Sequence, residues 1–263
     1  MPQTIANPPP DLAPIVYEGD GQLSLHFGFR TIQSRMLKGD PERLVLDYTR
    51  TMMGFLLFVP KPERIAMIGL GGGSLAKYCR RKLPGSDFIA VELSPEVIAL
   101  RNEFCIPEDG PGFRVLCADG ADYVRNECES LDILMVDGFN AEGQPDQLCS
   151  NAFYDGCYRA LRQGGVLVVN LCAEDTGYGS YFARISNSFN GKLVVIEADE
   201  GDNKIIFARK CERFPPGFKE LSERLRTLEA QHPVDLDKTA QKILRQQQSR
   251  HCAPKRQRRA SRP

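Results

Sequence analysis

Uninterrupted apolar runs alternate with helix-periodic stretches through the middle of the chain. RIAMIGL, FIAVEL, FRVLCAD, LDILMVD and GGVLVVNL are five such runs, apolar at successive positions and therefore buried on both faces when extended. SLAKYCRRKL, PEVIALRNEF, GADYVRNE and FYDGCYRAL follow the first four and carry apolar side chains at helical spacing. Strands covered on both faces and separated by helices predict a mostly parallel sheet between two helical layers. YFARISNSF predicts one more helix, and KLVVIEADEGDNKIIFARK two strands paired antiparallel around Gly201-Asp202-Asn203. The pattern predicts an α/β protein with a Rossmann-like, seven-stranded sheet that ends in an antiparallel hairpin.

The flanks are patterned differently. Residues 1–13 include Pro8-Pro9-Pro10 and read as a loose extension, without a basic-then-apolar leader. Residues 14–60 predict a small β-rich domain: two strands around Gly19-Asp20-Gly21, a third in RTIQSRML, and a connecting helix in LVLDYTRTMMGFLLF. The Rossmann-like domain spans 61–213. Residues 214–263 are polar, with helical spacing but few apolar anchors, and end in a basic stretch of disordered composition.

Composition adds two exclusions. The chain carries 34 basic and 34 acidic side chains, but nine Lys/Arg and no acid lie from Lys238 onward, leaving 25 basic against 34 acidic before it. An acidic body argues against nucleic-acid binding by the folded part. The basic tail alone offers contact to an acidic partner such as RNA, and a solvated extension is its plainer reading. No apolar run approaches the roughly twenty residues that span a bilayer. Nine cysteines without a framework and three scattered histidines predict reduced thiols, a cytoplasmic protein and no metal site.

Candidate chemistry gathers at the carboxyl ends of the predicted strands, where open α/β sheets bind ligands. The first strand ends in Gly69-Leu70-Gly71-Gly72-Gly73-Ser74, a turn that lets backbone approach a ligand closely. The second ends in Glu92, suited to the vicinal hydroxyls of a ribose; the third in Asp119-Gly120, suited to an adenine amino group; the fourth in Asp137. Each acid alone is equally well a helix cap. Together they predict a nucleoside ligand. A nicotinamide cofactor wants GxGxxG, and its third glycine would fall on Ser74. The pattern and the terminal hairpin favour an S-adenosylmethionine-type ligand, which has no phosphate.

IAMIGLGGGSLAKY, AVELSPEVI, VLCADGADYV, LDILMVDGFN and FYDGCYRALRQGGVLVVNL together resemble the spermidine synthase (polyamine aminopropyltransferase) family, a branch of the class I methyltransferase-like fold. The resemblance covers roughly residues 15–210. It implies S-adenosylmethionine or its decarboxylated form as co-substrate, a small amine as acceptor, and a homodimer. Residue by residue, it implies that Gln33, Gly69, Gly71, Gly72, Gly73, Glu92, Asp119 and Gly120 bind the co-substrate. Asp137 falls at the family's catalytic acid, and Tyr48 at a tyrosine that positions the amine. Three positions depart from the pattern. Gly72 (or Ser74) stands where the family has an acid for the aminopropyl ammonium, and Asn140 where a second acid grips a diamine. Tyr48-Thr49-Arg50 replaces Tyr-His-Glu, which sets a cation in the path of a cationic substrate. The resulting expectation is aminopropyl transfer with an altered acceptor. The alternatives are a methyltransferase and a non-catalytic nucleoside-binding or dimer scaffold.

Overall fold

The computed structural model describes residues 13–27, 32–140 and 143–252, with side chains as far as residue 248. Strands β1 (Pro14–Gly19), β2 (Gln22–Phe27) and β3 (Ile32–Leu37) form an antiparallel meander. The β1–β2 link is the two-residue loop Asp20-Gly21, both with positive φ (51° and 71°), the primed-turn geometry that matches the twist of paired strands. The chain then enters α1 (Asp47–Met52), which continues as a 3-10 turn over Met53–Leu57.

The main sheet has seven strands in the order β6-β5-β4-β7-β8-β10-β9. Strands β4 (Arg64–Ile68), β5 (Asp87–Glu92), β6 (Phe113–Cys117), β7 (Leu131–Val136) and β8 (Leu161–Cys172) pair in parallel. The return strand β10 (Asn203–Arg209) lies antiparallel between β8 and β9 (Leu193–Glu197). From β4 the order runs outward to β5 and β6 on one side and to β7 and β8 on the other. The switch point therefore lies between β4 and β7, the place where open α/β sheets bind ligands.

Successive residues of the central strands face opposite cores, which is why those strands read as continuous apolar runs. Ile65, Met67, Ile133, Met135, Val166 and Val168 join one core with α2 (Ser74–Lys82), α7 (Phe218–Leu228) and α8 (Leu236–Cys252). Ala66, Ile68, Leu134, Val136, Leu167 and Val169 join the other with α4 (Gly120–Asn126), α5 (Asn151–Ala160) and α6 (Tyr178–Ser188).

Two elements differ from the pattern-based reading. The run PEVIALRNEF forms a helix only over α3 (Pro95–Ala99), and the chain then turns through Cys105 at φ 54° so that Phe104 packs beneath the glycine turn. The carboxyl-terminal helices, polar in sequence, are firmly seated. Leu221, Leu228, Leu236 and Ile243 are each at most 2% exposed, and Arg224 donates from Nη1 to the carbonyl oxygens of Leu57 (2.7 Å) and Phe58 (3.1 Å). One or two fully buried apolar residues per two turns suffice, because the helices lie on a core that is already formed. The basic segment 253–263 and residues 1–12 lie outside the described residues. Among the described residues no helix is long and apolar enough to cross a membrane.

Candidate functional site

The glycine turn leaves β4 at the switch point. Gly69 has φ 90°, and a Cβ there would lie 2.3 Å from the backbone oxygen of Asp137. Its own N–H donates to Val91 (2.9 Å), and Asp137 N–H donates to Ile68 (2.9 Å), so three strand ends are tied at this point. Gly72 and Gly73 are pressed by Phe104, the Ser34 hydroxyl and Ile106. Protein packing therefore accounts for three of these glycines. Gly71 is different: it has φ 51°, and its nearest neighbour is the Ser34 Cβ, 3.6 Å from a built Cβ. It is the position where bare backbone leaves room for a ligand.

Glu92 ends β5 beside this turn. Its Oε2 accepts from Leu70 N–H (2.8 Å) and its Oε1 from Ser94 N–H (2.9 Å). Burial raises its pKa, while the N–H groups of Ser94, Leu70, Leu93 and Gly71 pull it back. The two close hydrogen bonds, from Leu70 and Ser94, occupy one site on each oxygen and leave each oxygen a further acceptor site facing the turn.

Asp119 is the N-cap of α4. Its Oδ1 accepts from Ala121 N–H (2.7 Å) and Asp122 N–H (3.1 Å), and the next residue, Gly120, is buried with Ile68 against its α-carbon. The cap reading of this acid is thus realised in the fold. Asp119→Ala is expected to cost about 1 kcal/mol of stability, measured by urea unfolding.

Asp137 follows β7, next to Gly69. Asn170 of β8 donates from Nδ2 to its Oδ1 at 2.8 Å, and the Tyr48 hydroxyl of α1 hydrogen-bonds the same carboxylate. Burial pushes the Asp137 pKa up to about 6, and the two hydrogen bonds work in the opposite direction. For Tyr48, burial and then the neighbouring Asp137 charge hold the hydroxyl well above its ordinary range, so it remains a donor. It also lies 3.4 Å from the backbone oxygen of Gln33 on β3. Residues 33, 48, 69 and 137, predicted separately along the chain, thus meet at one place.

Two departures from the family pattern look different in three dimensions. Arg50 is held by groups beside the start of its own helix. Its guanidinium donates to the carbonyl oxygens of Leu44 (3.0 Å) and Val45 (2.8 Å) and to Asp47 Oδ1 (2.9 Å), bracing the start of α1. The expectation of a cation facing the substrate is therefore corrected: Arg50 lies two residues past Tyr48, which on a helix turns it well away from that side chain. Asn140 is exposed and pairs its backbone with Gly143 in a short antiparallel bridge.

Three residues at the site were not read from the sequence. Ser34 packs under Gly72 and approaches the Ser74 hydroxyl at 3.4 Å, joining the meander to the glycine turn. Asn170 is a polar residue set inside the apolar run of β8, two residues before the strand ends at Cys172. Asp47, 8% exposed, accepts through Oδ2 from Asp199 and Glu200 N–H of the β9–β10 turn. By position alone it is an ordinary first-turn helix acid.

The converging groups are carboxylates, backbone N–H, an amide and a tyrosine hydroxyl. Such a set suits ribose hydroxyls, amino groups and a cationic centre. The N-cap of α2 is Gly73, which leaves the first N–H groups of the helix uncapped; it is the carboxylates flanking the turn that disfavour a pyrophosphate.

Comparison with known proteins follows the same direction. The model of the spermine/spermidine synthase domain matches residues 46–182. A polyamine aminopropyltransferase of Chromobacterium violaceum is 43% identical over 186 residues, covering 70% of this chain and 71% of that protein. One from Neisseria meningitidis serogroup A is 36% identical over 214 residues, covering 81% of each. The crystal structure of a probable spermidine synthase from Corynebacterium glutamicum superposes with a TM-score of 0.69 at 21% identity, covering 88% of this chain and 91% of that one.

Proposed function

The chain belongs to the spermine/spermidine synthase family, and we propose that it transfers an aminopropyl group from decarboxylated S-adenosylmethionine to a small amine. The observation that carries this reading is the Asp137 carboxylate, raised to about 6 and faced by the Tyr48 hydroxyl, beside the glycine turn at the switch point.

When bound, the sulfonium co-substrate supplies an electrophilic carbon and a neutral thioether leaving group. Glu92 accepts from its ribose hydroxyls, and Asp119 uses its second carboxylate oxygen, the one not capping α4, for the adenine amino group. Gly71 admits the chain attached to sulfur, with Gln33 alongside. Asp137 receives the acceptor amine as a hydrogen-bond donor and takes one proton from it as the new N–C bond forms and the C–S bond breaks. A carboxylate near 6 is ionised at neutral pH and still basic enough for this role. Tyr48 donates to Asp137 and aligns it, so that much of the rate comes from orientation.

Asn140 supplies a neutral amide where a second acid would hold a diamine, so the acceptor is one that does not need a carboxylate at that point. With Arg50 bound to Asp47 and the 44–45 backbone, the approach of an amine is not opposed by its charge. Tyr48→Phe is expected to lower kcat about tenfold, with KM for the co-substrate near wild type, read from steady-state kinetics.

Calorimetric titration with S-adenosylmethionine and its decarboxylated form tests the reading. Tighter binding of the decarboxylated form supports aminopropyl transfer; preference for the carboxylated form would replace it with methyl transfer. Binding of neither at millimolar concentration would leave a non-catalytic protein.

A further inference from the structure

A side-chain amide has one end that donates and one that accepts, so the effect of Asn170 on Asp137 depends on which end faces the acid. Asn170 Nδ2 donates to Asp137, while Asn170 Oδ1 accepts from Nδ2 of Asn203 at 2.9 Å. Asn203 opens β10 opposite Cys172 of β8, two residues beyond Asn170, which sets the two amides on the same face of the sheet. The Oδ1 of Asn203 lies toward Gly201, 3.6 Å from where a Cβ there would be, leaving its Nδ2 for Asn170. Asn170 is 2% exposed, so solvent does not stand in for either partner. The three side chains make a chain of single polarity that ends on the carboxylate. With Asn170 turned over, its oxygen would face Asp137, a contact that only the protonated acid tolerates.

We propose that Asn203 is a positioning residue for the transfer: by donating to Asn170 it keeps a hydrogen-bond donor on Asp137 and holds the acid in its charged, proton-accepting form. The proposal rests on Asp137 as the proton acceptor in the reading above. The titratable group facing Asp137 is Tyr48 from α1, and the polar group from β8 is Asn170. Tyr48 stays protonated throughout the range in which Asp137 titrates, so the amide pair is the adjustable element. The same turn also reaches the other half of the site, because Asp199 and Glu200 N–H bind Asp47, the residue preceding Tyr48.

The sequence presented Asn203 only as a turn residue of the terminal hairpin. Its second role depends on β10 returning beside β8 rather than at the sheet edge.

The test is the titration of the Asp137 carboxyl, followed by carbon-13 NMR on the full chain and assigned with Asp137→Asn. Asn203→Asp places an acceptor where Asn170 needs a donor. It is expected to raise the Asp137 midpoint by about one pH unit or more. In an Asn170→Leu background the same substitution should move the midpoint less than half as far, since only the through-space charge remains. Equal shifts in the two backgrounds, or none in the first, would overturn the proposal. Urea unfolding of each variant confirms that the titration is read from folded protein. For the active enzyme, the acid limb of kcat/KM should move with the NMR midpoint while KM for the decarboxylated co-substrate stays within about twofold. An inactive wild type would count against the proposed function, while the NMR comparison still decides the role of Asn203.

Discussion

Asp137→Asn is expected to lower turnover by at least about a hundredfold while leaving co-substrate affinity within about twofold of wild type. The amide keeps the shape of the side chain and its oxygen still accepts from Asn170, so the pocket for the nucleoside is undisturbed. What is lost is the ability to take a proton from the attacking amine. In the wild type, kcat/KM should fall below about pH 6 as Asp137 protonates; in the variant that limb should vanish from the residual rate. Stability should change in the opposite sense. The folded protein binds the Asp137 proton more tightly than the unfolded chain, because burial raises the carboxyl above its ordinary value. Stability from this group is therefore present at low pH and lost as pH rises through about 6. Removing the charge should leave the urea midpoint at pH 7.5 equal to or above wild type. A reduced midpoint together with normal turnover would place Asp137 in the scaffold and outside the reaction.

Gly69→Ala should be the most damaging single methyl in the site, costing about 2–4 kcal/mol of stability and most of the activity. The added Cβ would lie 2.3 Å from the Asp137 backbone oxygen, at φ 90°, in a segment anchored by hydrogen bonds to Ile68 and Val91. Neither side can yield without shifting β4 against β7, and the displaced residue would be Asp137 itself. Gly71→Ala is the matched control. Its φ of 51° is near the left-handed region, and its nearest contact is at 3.6 Å. That variant should lose about 1–2 kcal/mol and report mainly as weaker co-substrate binding. Urea unfolding and calorimetry on the pair separate the two effects. If both behave alike, the close approach of Gly69 to Asp137 has no special weight.

Strands buried on both faces announce themselves as apolar runs, so β4 to β8 and the closing hairpin were legible from Ile65 to Phe207. The polar residues that end those runs marked Glu92, Asp119 and Asp137 for the same reason. Each of these three acids stands at or just past the end of its strand. Asn170 lies inside β8 and is 2% exposed, so no strand end marks it and only its tertiary partners reveal its role. Helical periodicity runs on past Ala99, but it does not report the left-handed turn at Cys105, and α3 stays short. The carboxyl-terminal helices looked weakly anchored because hydrophobicity counted along the chain does not weigh how completely Leu221 and Ile243 are buried.

The sequence by itself determined the fold class, the glycine turn and the acids at the strand ends, since each follows from local pattern and from the geometry of parallel sheets. Tertiary structure alone decided what those residues face. It turned Arg50 toward the 44–45 backbone, brought Tyr48 onto Asp137 from a segment 89 positions earlier, and set Asn203 behind Asn170. The physical reason is that hydrophobic burial is written into near-neighbour spacing. The direction of a hydrogen bond and the approach of two distant carbonyl or carboxyl groups exist only once strand order has been chosen.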